Sequence, residues 1–96
     1  MTKRLTIRVR TRDNLRELLE KGESQAWVVA RSKQARLTHV EVVNFAGEEM
    51  IVGVYDSVRS RRREDGRLVI AFTNARIVPC DVSFDGQNPV RYIELA

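Results

Sequence analysis

Only one stretch of this sequence has the spacing of an amphipathic helix, and every apolar stretch after residue 23 reads as extended. Three leucines in the helical stretch recur at the i, i+3 and i+4 positions of one helix face: Leu15, Leu18 and Leu19. We predict that this helix runs through Lys21 and stops at Gly22. Either Thr11 or Asp13 can cap its start. A chain with so little helix must build most of its core from strands.

The strand predictions rest on apolar residues that alternate with polar ones or fill both faces. Residues 3–10 alternate apolar and mainly basic side chains, as a half-buried strand does. Two stretches are apolar on both faces and are predicted to be central strands that pair with each other: residues 50–55 and 68–72. The remaining predicted strands cover residues 25–30, 37–45, 76–84 and 90–95.

The predicted strand 37–45 changes phase along its length. Val40 and Val42 fall on one side, whereas Val43 and Phe45 fall on the other. One extra residue in a strand produces such a change, so we predict a bulge near Val42 and Val43.

The predicted order, β-α-β-β-β-β-β, is an α+β class dominated by β, in a single domain over residues 1–96. We expect one amphipathic helix on a curved, mostly antiparallel sheet or a small barrel. Because a helix of about ten residues cannot cover a sheet that is apolar on both faces, the sheet either curls around its own core or packs on another copy. The second option predicts a homo-oligomer, first of all a dimer, with Trp27 at the interface.

The inventory of reactive side chains is poor. With one cysteine and one histidine, the chain cannot form an internal disulfide or complete a common zinc site alone. His39 and Glu41 lie two apart on one strand, where a surface pair is favoured over an acid–base pair. We therefore predict no enzyme activity, no metal and no cofactor. A small-molecule ligand inside a barrel stays possible, and the sequence does not name one.

No apolar run approaches the ~18 residues of a membrane span, and the N-terminus lacks the apolar core of a signal peptide. We therefore predict a cytoplasmic protein with no membrane partner.

Positive charge is concentrated in two blocks, residues 1–12 and 58–67. The chain has 17 basic residues against 13 acidic ones, and all but three of the basic residues are arginines. The planar guanidinium group suits phosphate better than an ammonium group does. Alternate side chains of a strand lie about 6.6 Å apart, close to the phosphate spacing of a nucleic-acid strand.

We therefore predict a binding module that contacts nucleic acid through both blocks. The predicted site residues are Arg8, Arg10, Arg61, Arg62, Arg63 and Arg67. Binding of single strands also needs exposed aromatic rings. Tyr55 and Tyr92 are the candidates for this role, whereas Phe45, Phe72 and Phe84 are expected in the core. The alternative is a homo-oligomeric interaction module whose arginines only keep it soluble.

Overall fold

Strands dominate the computed structural model, which describes residues 4–82 and 88–95. The strands are β1 (Arg4–Thr11), β2 (Glu23–Trp27), β3 (His39–Asn44), β4 (Glu49–Tyr55), β5 (Arg61–Arg62), β6 (Leu68–Pro79) and β7 (Val90–Leu95). The two helices of the described residues are short: α1 (Leu15–Lys21) and α2 (Arg31–Gln34). The predicted α+β class dominated by β is confirmed, because strands make up 52% of the structure.

The strands form one sheet in the order β2-β6-β4-β3-β1-β7, and β5 pairs with β6 beside this path. Strands β1 and β3 run parallel, and the other described pairs are antiparallel. The sheet curls into a half-barrel, which confirms the predicted curvature. Its first and last strands, β2 and β7, are therefore the two edges that flank the open side.

The core fills the concave side of the half-barrel. The strands other than β5 contribute side chains to it, and α1 adds Leu15 and Leu18. The best-buried members are Leu5, Ile7, Val9, Val40, Val42, Ile51, Leu68 and Ile70. The helix and the inner sheet face therefore share one apolar cluster. None of the described helices is long and apolar enough to cross a membrane.

The bulge lies in β6, not in β3 as expected. Strand β3 pairs in continuous register with both neighbours, and Val42 and Val43 are both buried, one on each face. A strand covered on both faces needs no phase change to bury both residues. In β6, by contrast, the register against β4 slips between Val52 and Val54, opposite Asn74, whose φ is 48°.

The long strand β6 also corrects the predicted pairing of the apolar strands. Residues 68–72 and 76–79 belong to one continuous strand, and β4 pairs with its second half. Its first half pairs with β2 and β5. The bulge places Ala75 and Ile77 on the core side. The second half of β6 therefore presents apolar side chains beside those of β4, as residues 68–72 were expected to do. The end of the predicted strand 76–84, with Phe84, lies outside the described residues.

The N-cap of helix α1 is neither of the predicted residues, Thr11 or Asp13, but the next residue along the chain. The cap is Asn14, whose Oδ1 accepts hydrogen bonds from Arg16 N (2.9 Å) and Glu17 N (3.2 Å). The predicted stop is confirmed: Gly22 has a φ of 72°, and its N–H donates to Leu18 O at 2.8 Å. A helix of two turns depends strongly on both ends.

We expect Asn14→Ala to lower the free energy of unfolding by about 1 kcal/mol, because two amide groups of the first turn lose their acceptor. Chemical denaturation measures this change. Asp13→Ala is the matched control, since Asp13 is exposed and should change stability by less than about 0.5 kcal/mol. Equal effects of the two substitutions would contradict the assignment of Asn14 as the cap.

Candidate nucleic-acid interface

An open cleft of about 350 Å³ lies between the facing edges of the half-barrel. The end of β2 supplies Trp27 and Val28 on one side, together with Arg67 just before β6. The start of β7 supplies Pro89 and Tyr92 on the other side. This volume falls within the range of about 300–1,000 Å³ that is typical of ligand sites.

The two aromatic rings of the cleft are fixed by their polar atoms. The indole N–H of Trp27 donates to the hydroxyl of Ser24 at 3.0 Å, and Ser24 is completely buried. The hydroxyl of Tyr92 accepts the N–H of Ala30 at 3.4 Å. Both rings pack against the edge of the core and line the cleft. The sequence predicted Tyr92 as a stacking surface, whereas the role of Trp27 in an interface stays a prediction.

Two cations lie at the cleft, Arg67 in its lining and Lys33 beside Tyr92. The exposed side chain of Arg67 has no hydrogen bond or ion pair within residues 4–82 and 88–95. Helix α2 places the ammonium group of Lys33 5.6 Å from the centre of the Tyr92 ring, and Arg31 lies on the same helix. The cleft therefore combines aromatic walls with cations that have no acidic partner in the described part of the chain.

Sequence reasoning missed α2 and its two cations. Residues 31–36 carry three basic residues and no acid, which was the available signal. The segment after β2 was expected to continue as a strand to residue 30, but β2 ends at Trp27. The chain leaves the edge of the sheet after Trp27, and Ala30 is the N-cap of α2.

Arg62 supports the β2 side of the cleft from behind. Its guanidinium donates to the side-chain oxygen of Gln34 (3.0 Å), to Gly66 O (2.8 Å) and to Val29 O (2.9 Å). The side chain thus joins β5 to the segment before α2 and to the turn before Arg67. Arg62 is half-buried, so these bonds are partly shielded from water.

The other two arginines of β5 and its turn are paired with acids. Arg61 donates to Glu23 at 2.9 Å, and this hydrogen bond is the main reason why the pKa of Glu23 lies below its ordinary value. Arg63 lies 3.4 Å from Asp65. Of the four predicted residues in the second basic block, the structure therefore brings Arg67 to the cleft, uses Arg62 in internal hydrogen bonds and pairs Arg61 and Arg63 with acids.

The first basic block lies on the outer, convex face. Arg8 donates to Glu41 at 2.7 Å, and both side chains are half-buried. Arg10 donates to Phe45 O at 2.7 Å, and its guanidinium lies 4.2 Å from the Phe45 ring. Arg12 covers the same ring at 3.9 Å.

Phe45 itself is 45% exposed, so its expected place in the core is wrong. The reason is that β3 ends at Asn44 and Phe45 begins the turn. Phe72, which was also expected in the core, is buried there.

Among the described residues, one backbone contact brings the first basic block next to the cleft. In the sheet, β4 and β3 separate β6 from β1. The backbone N–H of Arg10, however, donates to Pro89 O at 3.0 Å, and Pro89 lines the cleft together with Arg67. The side chains of Arg8 and Arg10 do not line it.

The described residues contain no group of three or more His, Cys, Asp or Glu side chains that could hold a metal ion. Comparison with protein-family models, with curated proteins and with solved structures finds no match for this chain, so the functional proposal rests on the geometry of the cleft.

Proposed function

We propose that this protein is a non-enzymatic module that binds single-stranded nucleic acid in the cleft between β2 and β7. One observation carries the proposal: Trp27 and Tyr92 line the same cleft as Arg67, whose guanidinium has no partner among the described residues. Stacking of a base on an aromatic ring contributes about 1–3 kcal/mol. A guanidinium group beside such a ring is placed to bind the phosphate of the stacked nucleotide.

The shape of the cleft favours a single strand over a duplex. A volume of about 350 Å³ suits one unstacked base with part of its backbone. Bases in a duplex already stack on one another and are not available to side chains in this way. Lys33 extends the positive surface beside the Tyr92 ring, where the next phosphate group of a bound strand would pass. The cytoplasmic location predicted from the sequence is part of the same proposal.

The second candidate function is the homo-oligomeric interaction module. Strands β2 and β7 each have one side with no strand partner in the described residues, and a second copy that pairs there would cover Trp27. Light scattering after size exclusion separates the two functions. A dimer that ignores a single-stranded oligonucleotide at low and at moderate salt favours the interaction module, whereas a salt-sensitive complex with the oligonucleotide favours nucleic-acid binding.

We expect Arg67→Ala to weaken binding of a fluorescein-labelled single-stranded oligonucleotide about tenfold, because a charge-assisted contact to phosphate is lost. The negative slope of log affinity against log salt concentration should become shallower by about 0.7 for one lost phosphate contact. Fluorescence anisotropy at several salt concentrations gives both values.

Arg16→Ala is the matched control for Arg67→Ala. Arg16 is an exposed arginine on α1 that does not line the cleft, and its nearest acidic partner is Glu49 at 3.7 Å. The substitution Arg16→Ala removes the same charge as Arg67→Ala. Equal losses of affinity in the two variants would show that only net charge matters, which would contradict the assigned site.

A further inference from the structure

A separate recess of about 150 Å³ lies on the convex face of the sheet, where β6 bulges against β4. Four polar side chains line it: Arg4 from β1, His39 from β3, and Asn74 and Arg76 from β6. None of them lines the cleft between β2 and β7. The recess therefore belongs to neither wall of the proposed nucleic-acid site.

The backbone of Gly53 lines the recess, and the bulge of β6 lies opposite it. A Cβ atom at Gly53 would point to the core side of the sheet, where it would lie 2.9 Å from Ala75 Cβ and 3.1 Å from Thr73 O. Glycine therefore allows β4 and β6 to approach closely beneath the recess. Asn74 adopts a φ of 48°, which is the left-handed region that asparagine tolerates better than most residues, and the bulge at this residue interrupts the regular sheet face where the recess lies.

The cations of the recess are not neutralised. Arg4 and Arg76 are exposed, and their side chains make no hydrogen bond or ion pair within the described ranges. The nearest carboxylate on these strands, Glu41, is held by Arg8 at 2.7 Å. Strand β4 contributes no titratable group to the recess.

His39 is oriented by Thr38, the residue just before β3. Its Nδ1 lies 2.8 Å from the Thr38 hydroxyl, so Nε2 is the ring nitrogen left for a ligand. Burial lowers the pKa of His39, and the charge of Arg4 lowers it further against the opposing effect of Glu41. Protonation of this ring is thus disfavoured until an anion offsets the surrounding positive charge.

We propose that this recess binds a tetrahedral oxyanion, free phosphate or the terminal phosphate of a larger molecule, between Arg4 and Arg76, with His39 as a third donor. The space fits such a group and is too small for a nucleotide. Two guanidinium groups and an imidazole supply donors from three strands, which is a typical arrangement for doubly charged oxyanions.

The single histidine of the chain makes the proposal directly testable. Its ring protons are resolved by NMR without labelling, and sulfate keeps a constant charge while the ring titrates. We expect sulfate to shift the His39 signals saturably and to raise the pKa of His39, because bound anion favours the protonated ring. By the same linkage, sulfate should bind more tightly as the pH falls through that pKa.

Arg76→Ala should weaken sulfate binding about tenfold, because a charged hydrogen bond is lost. Arg76→Gln is a second variant that keeps a polar side chain, and Arg16→Ala is the control for loss of charge. An unchanged His39 pKa at saturating sulfate, or equal losses in Arg16→Ala and Arg76→Ala, would overturn the proposal.

Two further ligands distinguish the sources of the oxyanion. Methyl phosphate that binds as tightly as inorganic phosphate indicates a recess for the phosphorylated end of a larger molecule. Tighter binding of inorganic phosphate indicates the free anion. Oligonucleotide binding should survive Arg76→Ala in either case, so failure of the recess and failure of the cleft are separate results.

Discussion

Replacement of both Trp27 and Tyr92 by leucine is expected to weaken binding of a single-stranded oligonucleotide by about 100-fold or more, since both stacking surfaces are lost. Leucine keeps apolar volume at the edge of the core, where both rings pack. Fluorescence anisotropy measures the affinity. In the unmodified protein, the fluorescence of Trp27, the single tryptophan of the chain, should change saturably as the oligonucleotide binds.

Tyr92→Phe is the control for this double variant. It keeps the stacking surface and removes only the hydroxyl that accepts the N–H of Ala30. We expect its affinity to stay within about twofold of the unmodified protein, since stacking needs no hydroxyl. Loss of the Trp27 indole also leaves the buried Ser24 hydroxyl without that partner, so affinities are to be compared where circular dichroism shows both proteins folded. A double variant that binds normally would contradict the cleft as the binding site.

The second large effect concerns stability. We expect Arg62→Met to lower the free energy of unfolding by about 3 kcal/mol, because three acceptors lose a charged donor in a half-buried setting. Methionine keeps the length of the apolar stem, so the loss reports on the hydrogen bonds. Denaturant titration measures this loss, and a slope of the transition equal to that of the unmodified protein would show that the shifted midpoint reports stability.

Arg61→Met is the matched comparison on the same short strand. The Arg61 side chain is 57% exposed, and its ion pair with Glu23 lies at the surface. Such exposed pairs contribute little to stability, because water and salt screen them. Equal losses from the two substitutions would show that the three acceptors of Arg62 do not carry the stability of this region. Because Arg62 stabilises the fold, replacing Arg61, Arg62 and Arg63 together would change stability and binding at once. The single variants keep the two effects apart.

Local sequence patterns predicted the elements whose bounds do not depend on contacts with distant strands. Alternation in residues 3–10 and 90–95 gave β1 and β7 to within a residue or so, and Gly22 fixed the end of α1. In each case the information is local: a period of two for a half-buried strand, or a left-handed residue after a helix. The curvature followed from the shortage of helix, since strands alone had to enclose the core.

Register and the binding site depend on contacts between distant parts of the chain. The apolar runs of residues 50–55 and 68–72 match each other in composition, but the core accepts Ile77 opposite Ile51. The cleft exists because two edges separated by most of the chain face each other, which no local pattern records. Whether an arginine is available to a ligand depends equally on its partners: Arg62 and Arg67 are close in sequence and differ completely in their hydrogen bonds.

The position of β1 between β3 and the edge strand β7 has a consequence for how the protein folds. Its two neighbours are β3 and β7, and β7 lies at the far end of the described chain. A growing chain therefore synthesises β1 well before β7, and the second side of β1 stays unpaired until β7 has left the ribosome. Pairing between such distant segments is costly in chain entropy and slows folding. We expect refolding on a slower timescale than that of helical proteins of this length, with the docking of β7 as a late event.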